Sequence, residues 1–90
     1  MIVSANEFHR NLPDLVVCPI SSQPRYFTRP GPGDCPMKAW RDVGLRHPST
    51  LRVSKLLAID KRIVRRALGT ASNEDLARID GALRRALALV

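Results

Sequence analysis

Residues 14–20, DLVVCPI, form a nearly unbroken apolar run that closes on the polar Ser21-Ser22-Gln23. Such a run predicts a central strand covered on both faces, with Pro19 near its end, where a lost N–H donor matters least. A different pattern stands at residues 50–57. Leu51 and Val53 alternate there with Thr50, Arg52 and Ser54, which predicts a strand with one dry face and one wet face carrying Arg52 and Ser54. Residues 1–4 predict a short apolar strand, and residues 5–11 a single helical turn stopped before Pro13. Residues 24–36 hold four of the seven prolines together with Gly31 and Gly33, and so predict a loop or irregular hairpin. Residues 37–40 predict a further short strand, and residues 44–48 a turn.

The period changes near the C-terminus. Ser72-Asn73-Glu74-Asp75 resembles a capping box, with Ser72 as N-cap and an acid three residues on. Leu76, Ile79, Leu83, Ala86, Leu87 and Val90 then recur at three- and four-residue steps, forming one apolar stripe on a helix. Gly81 interrupts this helix at a cost of about 1 kcal/mol against Ala, which suggests a close packing contact there. Residues 60–68 read two ways. Asp60 suits the cap of a helix ended by Gly69, whereas the β-branched Ile63-Val64 favour a strand. Short strands, a proline-rich hairpin and one terminal helix predict an α+β domain with an antiparallel sheet.

Length and charge narrow the partners. Ninety residues make one domain, residues 1–90, with a modest core that leans on an oligomer or partner. No stretch approaches the ~18 apolar residues of a membrane span. MIVSANEFHR has no basic region ahead of an apolar one, so no secretory signal is read there and the expected location is the cytoplasm. The net charge is +7, from 15 Lys plus Arg against 8 Asp plus Glu. In residues 71–90, Glu74, Asp75 and Asp80 offset Arg78, Arg84 and Arg85, so the surplus lies in residues 1–70. That surplus suits a polyanion, because each neutralised phosphate releases counterions. Cys18 and Cys35, with His9 and His47 in unrelated contexts, match no zinc spacing and read as buried or idle thiols. No cofactor and no metal are expected.

Taken in order, VSANEF, PDLVVCPISSQ, GPGDCPMKAW, GL..PS.LRV.KL..ID, LGT.S.EDL and the closing amphipathic helix resemble the MazF/PemK family along essentially the whole chain. These are toxins of toxin–antitoxin pairs that cut mRNA, built on a small SH3-like antiparallel β-barrel with helices. The resemblance implies a homodimer, single-stranded RNA as substrate and a cognate antitoxin as protein partner. It also implies that ID-KR is a tight turn followed by a strand ending at Leu68-Gly69. Family members carry a further strand and an Arg-Pro loop ahead of the segment matching residues 1–4, so the resemblance implies an N-terminally short domain.

The resemblance places chemistry on particular residues. Pro19-Ile20-Ser21-Ser22 matches the family's P-I-T-S pattern, which puts Ser21 where a hydroxyl helps hold the scissile phosphate. Arg52 matches the arginine of an Arg-x-Asp pair, while Ser54 stands where the acid would be. Arg52 and Ser21 are therefore the expected catalytic pair, neither of them in the core, and whether this form cuts RNA stays open. Ser22, Gln23, Arg25, Tyr26, Arg29, Ser54 and Lys55 complete the expected RNA-contacting set. The interleaved Arg25-Tyr26-Phe27-Thr28-Arg29 suits base stacking and phosphate binding, or else core filling in a hairpin. Lys61-Arg62 with Arg65-Arg66 reads as a solvated basic face, and His47 as an exposed loop histidine.

Overall fold

Two segments, residues 14–21 and 49–60, lie antiparallel along one another and carry most of the sheet structure, in a computed structural model that describes residues 1–65 and 68–89. The chain opens with α1 (Asn6–Asn11), β1 (Asp14–Val17) and β2 (Ile20–Ser21). It continues through α2 (Pro24–Thr28), β3 (Asp34–Met37), α3 (Trp40–Val43) and β4 (Ser49–Arg52). A 3₁₀ turn over Val53–Lys55 leads to β5 (Leu57–Asp60), a second over Lys61–Ile63 follows, and α4 (Asn73–Ala86) closes the chain.

The apolar run 14–20 is two strands, not one. Val17 faces Leu57 and Ile20 faces Leu51, so three steps on one segment match six on the other. The excess of three is taken up by the three-residue 3₁₀ turn Val53–Lys55, opposite Cys18-Pro19. Pro19 has no N–H to continue a ladder, although its carbonyl still accepts from the Arg52 N–H at 2.9 Å. The ribbon therefore divides into a two-stranded sheet, β1-β5, and a three-stranded sheet, β2-β4-β3. Among the described residues the strands form an antiparallel α+β architecture but no closed barrel. The continuous strand expected over residues 50–57 is likewise interrupted, and its wet-face alternation ends at Arg52.

Other elements differ for local reasons. Residues 1–4 make a single bridge, Ile2 to Val17, because the Ser4 hydroxyl accepts the Val16 N–H in place of a backbone carbonyl. Residues 24–28 are helical: Pro24 sits in the first turn, where its fixed φ helps and its missing N–H costs nothing. The hairpin expected there reduces to the turn before β3. That strand ends at Met37, and Trp40 opens α3 instead of closing a strand. Gly44 ends α3 in the left-handed region, at φ 97°, donating its N–H to the Arg41 carbonyl. Asp60 does cap, but it caps only the short 3₁₀ turn at 61–63. The tight turn implied at ID-KR is present. Residues 64–65 and 68–69 are not in a strand, and residues 66–67 lie outside the described residues, as does Val90.

The core lies where Cys35, Met37 and Leu51 of the three-stranded sheet meet Val53, Cys18, Val43 and the α4 residues Ile79 and Ala82. Both cysteines are free and buried, and burial pushes their thiols up, so they stay protonated and inert. The expected stripe is only half used, since Leu76, Ala86 and Leu87 remain exposed. The close contact expected at Gly81 is not there: a Cβ would come nearest to the flexible Arg85 guanidinium, at 3.3 Å.

A carboxylate, not the stripe alone, docks α4. Ser72 caps the helix by accepting the Asp75 N–H at 3.1 Å, as expected. Asp75, however, does not reach back to Ser72. Its side chain is 1 % exposed, accepts the N–H groups of Lys38 and Ala39 at 3.1 and 3.0 Å, and pairs with Arg78. These N–H groups follow β3, so one acid ties the first turn of α4 to the strand end and also suits the positive helix terminus. Asp75→Ala orphans two backbone donors and the Arg78 charge together. We expect a loss of about 3–5 kcal/mol, read as a lower urea midpoint with unchanged slope; an unchanged midpoint would remove Asp75 as the anchor.

Candidate active site

The sheet register assembles the site. Within β2-β4-β3, Ser21 faces Thr50, Asp34 faces Arg52 and Pro36 faces Thr50. Facing residues share a side of the sheet, as do residues two apart on one strand. Ser21, Thr50, Arg52, Asp34 and Pro36 therefore lie on one face, and Ile20, Leu51, Cys35 and Met37 on the other, which turns toward the core. Helix α2 packs against β3 and β4 and brings Tyr26 onto the first face.

Arg52 is held on two sides. Its Nε donates to Asp34 Oδ1 at 3.0 Å, and its Cζ lies 3.9 Å from the centre of the Tyr26 ring. The Asp34 side chain is 4 % exposed and that of Arg52 is 21 % exposed. Asp34 is fixed in turn, because its Oδ2 accepts the Gly31 N–H at 3.0 Å. Gly33 makes this turn possible: it sits at φ 79°, and a Cβ would fall 2.9 Å from the Ser54 nitrogen. A planar guanidinium gripped at Nε and flanked by a ring keeps its two terminal nitrogens as an oriented fork. No described residue accepts a hydrogen bond from either terminal nitrogen.

The other expected residues sort around this pair. Ser21 Oγ accepts the Gln23 N–H at 3.2 Å, which leaves its own proton available to a ligand. Ser22 and Gln23 are exposed in the link to α2. Arg25 donates to the Tyr26 hydroxyl at 2.7 Å and lies 4.7 Å from the same ring, so Tyr26 carries two guanidiniums. The aromatic pair is neither core filling nor an open platform: both rings are half-buried on α2. Arg29 caps the end of α2 and is exposed. Ser54 and Lys55 do not join the site face, since the 3₁₀ turn carries them off the strand into solvent. The basic face at 61–62 is partly engaged within the chain. Lys61 donates to the His9 carbonyl, and Arg62 pairs with Asp60, holding that carboxyl below its usual range through its side chain and its backbone N–H.

Two functional groups escaped sequence reasoning. Asp34 was hidden in G-P-G-D, where an acid among turn residues signals only a turn. Thr50 has a fully buried hydroxyl that finds no hydrogen-bond partner among the described residues, and it sits between Ser21 and Arg52 on the site face. Among the described residues, no group of three or more His, Cys, Asp or Glu comes together to hold a metal ion. No described helix is long and apolar enough to cross a membrane.

Comparison with known proteins identifies the family and the fold. The family described as PemK-like, MazF-like toxin of type II toxin-antitoxin system matches residues 1–87. Among solved structures, the Mycobacterium tuberculosis toxin MazF-mt6 superposes with a TM-score of 0.81 at 20 % identity, over 100 % of this chain and 85 % of that one. An endoribonuclease in complex with its cognate antitoxin, from a mycobacterial species, gives 0.77 at 22 % identity, over 100 % and 80 % of the two chains. No curated protein sequence matches.

The pairing of Arg52 with Asp34 makes the site structural as well as chemical. Arg52 lies outside the apolar core, as expected, yet Arg52→Ala leaves a buried carboxylate with only the Gly31 N–H. It should cost about 1–3 kcal/mol. The double change Arg52→Ala/Asp34→Ala should recover part of that loss, because both halves of the pair are then gone. Urea titration of the parent, both single variants and the double variant checks this, and strictly additive losses would mean the pair is not coupled.

Proposed function

The chain belongs to the family of PemK-like, MazF-like toxins of type II toxin–antitoxin systems, and from that premise we propose that it is a sequence-specific endoribonuclease acting on single-stranded mRNA. The observation that carries this reading is the oriented guanidinium of Arg52, held by Asp34 and Tyr26 on the face it shares with Ser21.

Cleavage of an RNA backbone at the 2′-hydroxyl needs a proton removed from that hydroxyl, charge on the phosphorane stabilised, and a proton delivered to the leaving 5′-oxygen. The Arg52 terminal nitrogens fit two non-bridging phosphate oxygens, a geometry that Lys cannot copy. Ser21 adds a neutral donor to the same phosphate. Arg25, beside the same ring, adds positive charge at the rim, with Ser22, Gln23 and Arg29 along the path of the strand. Ser54 and Lys55, exposed on the 3₁₀ turn itself, lie off the site face and take no part in this reading. A cognate antitoxin is the second partner in this reading, since a basic surface suits an acidic protein segment as well as RNA.

A second reading, binding of RNA or antitoxin without cleavage, is favoured by one observation. Ser54 replaces the family's acid, and both oxygens of Asp34, the carboxylate beside Arg52, are already engaged. The two readings separate by rate. If the first holds, single-stranded RNA is cut in the presence of EDTA, because guanidinium groups supply the phosphate contact. Arg52→Ala then slows cleavage by roughly 10²–10³, the range for one transition-state donor, with Ser21→Ala costing less. RNA that binds with a steep salt dependence but is never cut would select the second.

The proposal includes a homodimer. Ile2, Ile20, Leu68 and Leu76, 36 to 53 % exposed, rim one apolar groove that also reaches Met37 and Val43. Apolar surface of this kind on a small chain marks an interface, and we assign it to a second copy. Sedimentation should give twice the 10.0 kDa chain mass, and Leu76→Glu should reduce it to one. A monomeric parent at high concentration would overturn the assignment.

A further inference from the structure

A second cluster of cations lies between α4 and β3. Arg78, Gly81, Ala82 and Arg85 follow one another at three- and four-residue steps, so they share one face of α4. That face and β3 bound a groove of about 390 Å³, which Lys38 also lines. We propose that this groove binds a short polyphosphate chain, free or carried by a nucleotide, and that the bound anion clamps α4 onto the end of β3. The site uses neither Arg52 nor Ser21 and stands apart from the reading above.

The cations have donors to spare. No described residue accepts a hydrogen bond from Lys38 Nζ or from the Arg85 guanidinium. Arg78 spends one terminal nitrogen on Asp75 and on the Pro36 carbonyl, the latter at 3.3 Å, while its buried Nε finds no acceptor among the described residues. The two arginines also converge. Burial pushes the Cys35 thiol up, and Arg78 and Arg85 both pull it down, so both guanidiniums act on this one groove-lining side chain. Gly81 permits the convergence. Arg85 Nη1 lies 3.3 Å from where a Gly81 Cβ would stand, so the guanidinium folds back across the glycine, where a methyl group would displace it. The carboxylate of Asp34, which also lines the groove, is already spent on Arg52 and the Gly31 N–H.

Shape and charge select the ligand. Arg78 and Arg85 stand seven residues apart, about 10 Å along the helix, a span that suits two or three linked phosphates better than one. Ala77, Gly81 and Ala82 lie between them, and no aromatic ring lines the groove, so phosphate charge must supply the affinity. A peptide strand finds little purchase. β3 is the edge of its sheet, but Pro36 has no N–H and Arg78 occupies its carbonyl. The clamp follows from connectivity: Lys38 comes directly after β3, whereas Arg78 and Arg85 belong to α4.

Calorimetric titration with tripolyphosphate at fixed ionic strength, paired with urea unfolding, tests the proposal. Tripolyphosphate should bind more tightly than orthophosphate and should raise the urea midpoint as its concentration rises. Arg85→Ala and Lys38→Ala, both at exposed positions, should each weaken binding about 10- to 150-fold, the worth of one hydrogen bond to a charged group. Gly81→Ala should weaken binding yet raise the midpoint of the free protein, since Ala favours a helix; a purely structural role for Gly81 would not separate the two. ATP that matches tripolyphosphate supports the phosphate chain as ligand, and tighter ATP that is still lost with Arg85→Ala supports its nucleotide form. Affinity untouched by all three variants overturns the groove. Binding that survives them but disappears with Arg52→Ala moves the anion to the phosphate site and overturns it equally. A glutamate peptide of matched charge that binds as tightly as tripolyphosphate overturns it in favour of an acidic protein segment.

Discussion

Three residues of mismatch between the paired segments 14–21 and 49–60 organise this molecule. An antiparallel ladder absorbs one extra residue as a bulge, but an excess of three leaves the sheet, here as the 3₁₀ turn Val53–Lys55 opposite Pro19. The consequences spread outward. The sheet divides in two, Val53 turns into the core, and β4 stops at Arg52. Because β4 is the middle strand of its sheet, its last residue has neighbours on both sides: the Pro19 carbonyl from one segment and the Asp34 carboxylate from the other.

In the proposed phosphate site, that position would give Arg52 two tasks that ordinarily conflict. A guanidinium that grips a ligand must be accessible, whereas one that satisfies a buried carboxylate must be fixed. The division of its donors resolves the conflict. Nε serves the buried Asp34 carboxylate, and among the described residues no acceptor engages the terminal nitrogens. Fixing the fork beforehand lowers the entropy lost when a phosphate binds, which is the usual source of strength in preorganised anion sites. The buried hydroxyl of Thr50, unpaired between Ser21 and Arg52, is a polar cost retained on the same face.

The helix α4 shows how little of a small domain's stability need come from its apolar stripe. Only Ile79 and Ala82 of the stripe face are buried, and the helix is held as much by Asp75 on the N–H groups after β3. A short chain cannot bury enough surface to rely on hydrophobic contact alone. One well-satisfied carboxylate fixes orientation where packing would leave it loose, while Leu76 stays uncovered.

Local signals alone determined the parts of this protein governed by neighbours in sequence. The Ser72 cap and the start of α4 follow from a side chain reaching its own helix, and the turn at residues 44–48 from Gly44's freedom to adopt positive φ. The order of short motifs likewise carried the family, on which the proposed pairing of Ser21 with Arg52 rests. What the sequence could not decide were quantities set by alignment between distant segments. The run 14–20 reads as one strand because nothing within it reveals that its partner is three residues too long. Residues 24–28 read as loop because proline composition signals a break without saying that a helix begins there. Asp34 was illegible for the same reason that it matters: its partner is 18 residues away, and only the register of β3 on β4 turns a turn-forming acid into the group that aims Arg52.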